Sequence, residues 1–348
     1  MNRFALSLIL MFLASPALAQ PRNDPASVCA SSNIDRAIAA CTEALALPNL
    51  TPSRRAIYSF NRGYNLYRHG RINEAIQDFT AAISLDARNP QFYNNRGFAY
   101  KSINQFQPAI TDFSKAIELQ PSNSVFYYNR GTAYDGLADF ARASADYQKA
   151  IQINPAFALG HVALGRSLAR LGRSADALAR FGQAVAQFPQ NAFVHIERGK
   201  VFLDLQQYDE AVQDFSRALQ LEPRSVFGLH GRGIAFMEKG DYQRALADLD
   251  TALTINPRYA LAFSDRGNVH YRMENYEAAI TDYTESIANL PSNALAYNNR
   301  GNAKHKLGRH AEALVDYTQA ISVDPRYAEA YSNRAETYVW LSAYDKAI

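Results

Sequence analysis

Small, bulky and proline positions recur along this chain at a fixed step of 34 residues. With copies starting at Ala56, Pro90, Ser124, Ala158, Ala192, Val226, Ala260, Ala294 and Ala328, the eighth slot of each copy is Gly63, Gly97, Gly131, Gly165, Gly199, Gly233, Gly267 and Gly301, then Ala335. Slot 20 is alanine throughout, from Ala75 to Ala347. Slot 24 is bulky: Phe79, Phe113, Tyr147, Phe181, Phe215, Leu249, Tyr283 and Tyr317. Slot 27 runs from Ala82 to Ala320 with one Ser286, and slot 32 is proline from Pro121 to Pro325, with Ala87 the exception. A constant period of this length means stacked supersecondary units, not one globular core. Small residues at facing slots let two helices approach closely, and bulky ones fill the space above and below. Proline then ends the second helix, because it lacks a donor and clashes with the preceding turn. Each copy is predicted to be a helix-turn-helix hairpin, and the chain to be all-α.

Short strings repeat inside this frame: Tyr93-Asn94-Asn95-Arg96-Gly97, Tyr127-Tyr128-Asn129-Arg130-Gly131, and Tyr297-Asn298-Asn299-Arg300-Gly301. The period and the small, aromatic and proline slots closely resemble the tetratricopeptide repeat (TPR) family over residues 56–348. The resemblance implies a right-handed solenoid, a superhelix of antiparallel helix pairs with eight full repeats and a truncated ninth. It also implies that the first helix of each pair lines a concave groove that holds a peptide or another protein.

The remaining segments are read separately. Residues 1–19 have the form of a signal peptide: Arg3, an apolar run from Phe4 to Ala14, and Ala17-Leu18-Ala19 before Gln20. The run is too short to span a bilayer. A mature chain that is periplasmic or secreted follows, with no stable membrane insertion after cleavage. Residues 20–55 comprise a polar leader and a degenerate helical hairpin, in which Ala37-Ile38, Cys41 and Ala44-Leu45 echo the second-helix pattern. This segment resembles secreted bacterial TPR proteins with a two-cysteine leader hairpin. At the other end Ile348 falls at slot 21, so the ninth hairpin is unfinished, and a truncated sequence or a frayed last copy is expected. Copy 4 departs most from the frame, with His161, Leu164, Ser174 and Gly182; ordinary drift or a softer joint would each explain it.

Composition adds few constraints. A net charge of +3 and 48% apolar residues demand neither nucleic acid nor an anionic membrane. No nucleophile elbow, zincin helix, phosphate loop or dinucleotide fingerprint occurs, so no catalysis and no cofactor are expected. His161 and His195 share slot 4 and His230 lies one slot on; the row suits buried helix residues better than a metal site.

Three constellations remain. Arginine at slot 7 and aspartate at slot 23 are expected to pair in each copy: Arg62–Asp78, Arg96–Asp112, Arg130–Asp146, Arg198–Asp214, Arg232–Asp248, Arg266–Asp282 and Arg300–Asp316. Copy 4 loses both partners at once, with Leu164 and Arg180. Cys29 and Cys41, the only cysteines, are expected to form a disulfide, since the signal peptide leads to an oxidising compartment. Asparagine recurs at slot 6 as Asn61, Asn95, Asn129, Asn299 and Asn333. A carboxamide offers a donor and an acceptor and so matches a peptide unit. Similar rows grip substrate backbone in the TPR superhelix of the O-linked GlcNAc transferase family. Two gripping zones are expected: one walled by Phe60, Tyr64 and Tyr128, the other made with Asn268, Asn298, Asn302, Arg272 and Lys306. The alternative is that these amides solvate a helix face or bond the next helix.

Groove cations such as Arg68, Lys101, Arg166, Arg170, Lys200, Arg272 and Lys306 favour an acidic partner or a C-terminal carboxylate. The family's carboxylate clamp does not carry over, because Glu329 and Asn333 stand where its cations belong. The function expected is an exported scaffold or adaptor binding an extended protein or peptide segment. Alternatives are the non-catalytic part of a larger enzyme, or of a secretion or polysaccharide-export assembly, with tyrosines such as Tyr64, Tyr67 and Tyr128 suiting glycan.

Overall fold

The structure, a computed structural model, describes Cys29 and residues 33–343; the predicted signal peptide, most of the leader and the last five residues lie outside that range. The described residues form eighteen α-helices: α1 (Ile34–Leu45), α2 (Pro52–Arg68), α3 (Ile72–Leu85), α4 (Pro90–Ser102), α5 (Phe106–Leu119), α6 (Ser124–Gly136), α7 (Phe140–Ile153), α8 (Ala158–Arg170), α9 (Ser174–Gln187), α10 (Ala192–Asp204), α11 (Tyr208–Leu221), α12 (Val226–Glu238), α13 (Tyr242–Ile255), α14 (Ala260–Arg272), α15 (Tyr276–Asn289), α16 (Ala294–Lys306), α17 (His310–Val323) and α18 (Ala328–Trp340). The fold is all-α. The chain divides into two compact units, one ending at Gly160 and one beginning at His161. That boundary falls inside α8, in the copy that departs most from the repeat frame. Within each unit the second helix of one hairpin packs against the first helix of the next.

Local chemistry sets each hairpin. From the second copy on, the first helix occupies slots 1–13 and is capped where asparagine or serine precedes it; in the first copy it starts earlier, at Pro52, capped by Thr51. Asn123 Oδ1 accepts from Val125 N at 3.0 Å, and Asn191 Oδ1 from Phe193 N at 3.1 Å. The turn into the second helix needs a left-handed residue at slot 15. Gly70, with φ +87°, supplies it, and Arg71 N then reaches back to Leu66 O at 2.9 Å. Five copies place a non-glycine there instead, including Ala138 at φ +57°, so that slot was invisible as a sequence signal. The second helix ends at slot 30, two residues before the proline.

The core lies between facing helices. The slot 20 alanines from Ala75 to Ala313 are fully buried, as are the slot 24 rings of Phe113, Phe181 and Phe215. A Cβ at Gly301 would stand 2.6 Å from the Tyr317 ring, which is why that first helix needs glycine at slot 8. At the N-terminal end, a disulfide joins Cys29 to Cys41 with Cα atoms 4.7 Å apart, and both residues are fully buried. It ties the chain before α1 to the inward face of that helix.

Candidate protein-binding surface

Each regular copy holds an arginine–aspartate clamp between its two helices. In the second copy Arg96 Nε and Nη2 donate to the two Asp112 oxygens, both at 2.8 Å, and Nη1 reaches Thr80 in the previous copy at 3.0 Å. The same two-bond geometry recurs at Arg62–Asp78, Arg130–Asp146, Arg198–Asp214, Arg232–Asp248, Arg266–Asp282 and Arg300–Asp316. The aspartate side chains retain 10% exposure or less, so each carboxylate sits out of water with its charge met by a planar guanidinium. These clamps hold hairpins together; they are not presented to a ligand.

The predicted amide row is divided by burial. Asn129 is only 2% exposed, and its Nδ2 donates to Asn94 Oδ1 at 2.8 Å across the junction of two copies. Asn298 is fully buried and accepts from Asn333 Nδ2 at 3.0 Å in the same way. Asn299 Nδ2 donates to Asn268 Oδ1 at 3.0 Å, and Asn268 Oδ1 also accepts from Tyr283 at 2.9 Å. Asn302 Oδ1 accepts from Tyr317 at 2.8 Å. Burial raises the pKa of both tyrosines, which keeps them protonated as donors. Asn95 turns its Nδ2 back to Gln91 O at 2.9 Å. Among the described residues, nothing bonds the side-chain amide of half-buried Asn61.

The predicted walls also differ from expectation. Phe60 packs between Phe79 and Phe92 at 5.7 and 5.0 Å, and Tyr128 between Tyr147 and Phe157 at 5.6 and 5.0 Å. Slot 5 therefore points into the hairpin stack and not toward a ligand. Tyr64 lies under the Arg68 guanidinium at 5.8 Å. Arg272 pairs with Glu238 at 2.7 Å, so it is not a free cation, while Lys306 is exposed and makes no ion pair with a described residue. Arg166 and Lys200 both face the buried Glu197 carboxylate, and Lys101 Nζ donates to Thr132 Oγ1 at 2.8 Å above the Phe98 ring.

A different row is exposed. The second residue of four successive first helices in the second unit is Phe193, Phe227, Leu261 and Leu295. Their exposures are 39%, 44%, 47% and 47%, high for side chains of this size. In the first unit Ile57 holds the same slot at 48%. Slots 2, 6, 9 and 13 share one stripe of a helix with 3.6 residues per turn. The apolar row therefore runs beside the slot 6 and slot 9 side chains. Sequence reasoning passed over it because an apolar residue at slot 2 reads as core; its recurrence outside the small and bulky slots was the available signal.

His195 and His230, two of the three histidines in the predicted row, are absorbed by structure. His195, buried, faces Asp214 Oδ1 at 3.2 Å and Pro189 O at 3.3 Å. His230 Nε2 faces Asp265 Oδ2 at 2.6 Å, and its Nδ1 faces the Tyr259 hydroxyl at 3.0 Å. Burial and Asp265 push that phenol up to about 12. Among the described residues, no group of three or more histidine, cysteine, aspartate or glutamate side chains is placed to hold a metal, and no helix is long and apolar enough to cross a membrane.

Two units of repeated antiparallel hairpins, seven of them clamped by an arginine–aspartate pair, define an α-solenoid repeat protein. The chain belongs to the tetratricopeptide repeat family, whose repeats match it at residues 63–104, 90–123, 124–157, 162–226, 233–274, 272–308 and 294–327. No curated protein matches it. Among solved structures it is similar to a chain of the APC/C hetero-tetramer Cut9–Hcn1, at 15% identity and TM-score 0.60. That match covers 90% of this chain, which spans 62% of the other's length. It is also similar to a tetratricopeptide repeat protein from Parabacteroides merdae, at 18% identity and TM-score 0.52, over 82% of this chain and 99% of that one. At these identities the likeness shows the fold.

Proposed function

We propose that this chain is an exported, non-catalytic scaffold that binds an extended protein segment along its first helices, with apolar side chains of the segment seated on the row Phe193, Phe227, Leu261 and Leu295. The observation that carries the reading is the exposure of that row on a face otherwise built from committed polar groups. Large side chains held 39–47% open are recognition surface in search of cover. Half-exposed amides beside the row, such as Asn299 and Asn302, keep polar atoms near a bound backbone. Acidic selectivity would rest on Arg68, Arg170 and Lys306, because Arg166, Lys200 and Arg272 are paired within the chain and Lys101 is sequestered.

Export is inferred from the signal-like residues 1–19. The test is crosslinking capture of the mature protein from its own compartment, with N-terminal sequencing of the captured chain. A mature terminus at Gln20 supports export, and an intact Met1 removes it. Capture should fall at least tenfold in a Phe193→Ser, Phe227→Ser, Leu261→Ser variant of unchanged helicity. Undiminished capture would place binding elsewhere, and retention of glycan in place of peptide would favour the polysaccharide-export reading.

A further inference from the structure

Near the end of the described chain, three rings converge. His305 is the penultimate residue of α16 and His310 is the first residue of α17, with a short turn through Gly308 between them. Their Nδ1 atoms face each other at 3.2 Å. Their ring centroids are 4.6 Å apart and the planes meet at 63°. Trp340, the last residue of α18, stacks on His310 at 5.8 Å and stands edge-on to His305 at 6.1 Å. It is the only tryptophan in the chain and is 66% exposed.

The geometry points to a binding site for a borderline first-row transition-metal ion of the Cu(II) class, held by His305 Nδ1 and His310 Nδ1.

Two imidazole nitrogens sharing one ion, each about 2.1 Å from it and at roughly 90–105° to each other, stand about 3.0–3.3 Å apart. The observed separation is 3.2 Å. An in-line hydrogen bond of that length would hold the ring centroids at about 5.5 Å. The observed 4.6 Å shows that the rings are inclined to the line joining the two nitrogens, so the contact is not an in-line hydrogen bond. A third donor lies close by. Thr337 Oγ1 is 3.1 Å from His305 Nδ1 and gives its own proton to Asn333 O at 2.8 Å, so without an ion His305 Nδ1–H donates to that oxygen, and a bound ion would displace this proton. Two nitrogens, a neutral oxygen and water make a mixed N,O set that suits Cu(II) first and Ni(II) or Zn(II) less well. The ligands come from α16 and α17, and Thr337 from α18, so an ion here would tie the last described helix to the hairpin before it. The neighbouring charges are Glu336, which attracts a cation, and Lys306, which opposes it.

Trp340 gives a direct readout, because bound Cu(II) quenches a stacked indole and Zn(II) does not. The experiment titrates CuCl2 into the full chain while tryptophan fluorescence is followed. Saturable quenching at one equivalent is expected, reversed by excess Zn(II). His305→Gln and His310→Gln should each weaken the midpoint at least tenfold. Electron paramagnetic resonance of the copper-loaded chain should show two equatorial nitrogens, reduced to one or none in each variant. Quenching that never saturates, or that is the same in both variants, would overturn the assignment, as would a copper spectrum unchanged by the two substitutions.

Discussion

Asn129 of α6 donates its Nδ2 to Asn94 Oδ1 of α4 at 2.8 Å, joining two successive first helices through a bond that water scarcely reaches. The donor is slot 6 of one copy and the acceptor slot 5 of the copy before. Asn333–Asn298 repeats the relationship, and His230–Asp265 reproduces it with different chemistry. Asn129→Ala would leave Asn94 Oδ1 buried without that donor, so a loss of about 1–3 kcal/mol is expected. Adding Asn94→Ala should recover part of it. A double-mutant cycle read by hydrogen exchange in α4 and α6 checks the coupling. Additive losses from the two substitutions would mean that the bond contributes nothing.

The fate of these amides shows what the sequence could and could not convey. The hairpin period, the small and bulky slots and the arginine–aspartate clamps were legible because each is a one-to-one contact inside a copy, repeated often enough to stand out. The joint loss of Arg and Asp in copy 4 even exposed the partnership. The asparagines were legible as a row but not as a surface. Whether Asn129 faces solvent depends on slot 5 of the preceding copy: Asn94 there draws it inward, whereas Phe60 in the first copy leaves Asn95 to bond its own helix. That is an inter-repeat contact between unlike slots, which a column of identical residues does not display. The His305–His310 pairing was hidden for a different reason: it lies inside one hairpin and occurs in one copy only, so no column of the repeat displays it.

Glycine has opposite meanings at two helical positions. Gly301→Ala would set a Cβ 2.6 Å from the ring of Tyr317, which is 1% exposed and has nowhere to move. A cost of about 1–3 kcal/mol is expected from that overpacking. Gly182, in α9, has no atom within 4 Å of an added Cβ. Gly182→Ala should therefore stabilise by about 1 kcal/mol through helix propensity alone. Thermal unfolding of the two variants beside the parent decides the matter, and shifts of the same sign would contradict this packing.

The clamp between Arg96 and Asp112 makes a sharper demand. Burial pushes the Asp112 carboxyl up, while its hydrogen bonds raise Arg96. The two-bond geometry decides in favour of the ion pair. Arg96→Met alone would leave a carboxylate of 5% exposure without its partner, at a cost of about 3–5 kcal/mol. Arg96→Met with Asp112→Leu should cost much less, since copy 4 keeps its helices with neither partner. Denaturant titration of both variants is the check, and equal losses would show that charge burial is not the governing cost.

Cys29 and Cys41 close a short loop around the first described helix, which packs against one described hairpin. Reduction, or Cys29→Ser with Cys41→Ser, should remove about 2–3 kcal/mol from that end. The loss should stay local, because a repeat stack transmits stability only through neighbouring units. Limited proteolysis before and after reduction gives the readout. Faster cleavage confined to α1 and α2 is expected, and uniform loss of protection along the chain would contradict it.

Lys101 carries the clearest pH dependence. Its ammonium lies over the Phe98 ring and donates to Thr132 Oγ1, whose own proton goes to Asn129 O. Burial pushes the Lys101 pKa down to about 8, and Asp135 opposes that shift only in part. An unfolded lysine titrates near 10.5. Below pH 8 both states hold the proton, and the folded protein bears the whole cost of keeping a charge in that setting. Between pH 8 and 10.5 the folded state has released the proton while the unfolded state retains it, so stability rises with pH across that window. The gain is on the order of 3 kcal/mol. Other groups titrate there too, and comparison with Lys101→Met isolates this one. At pH 7 the Met variant should be the more stable chain, and its advantage should shrink steadily by pH 10.5. Competitive acylation read by mass spectrometry should also mark Lys101 ahead of exposed lysines at pH 8, scaled to its accessibility. A stability difference that stays constant from pH 7 to 10.5 would mean that Lys101 titrates as an ordinary surface amine.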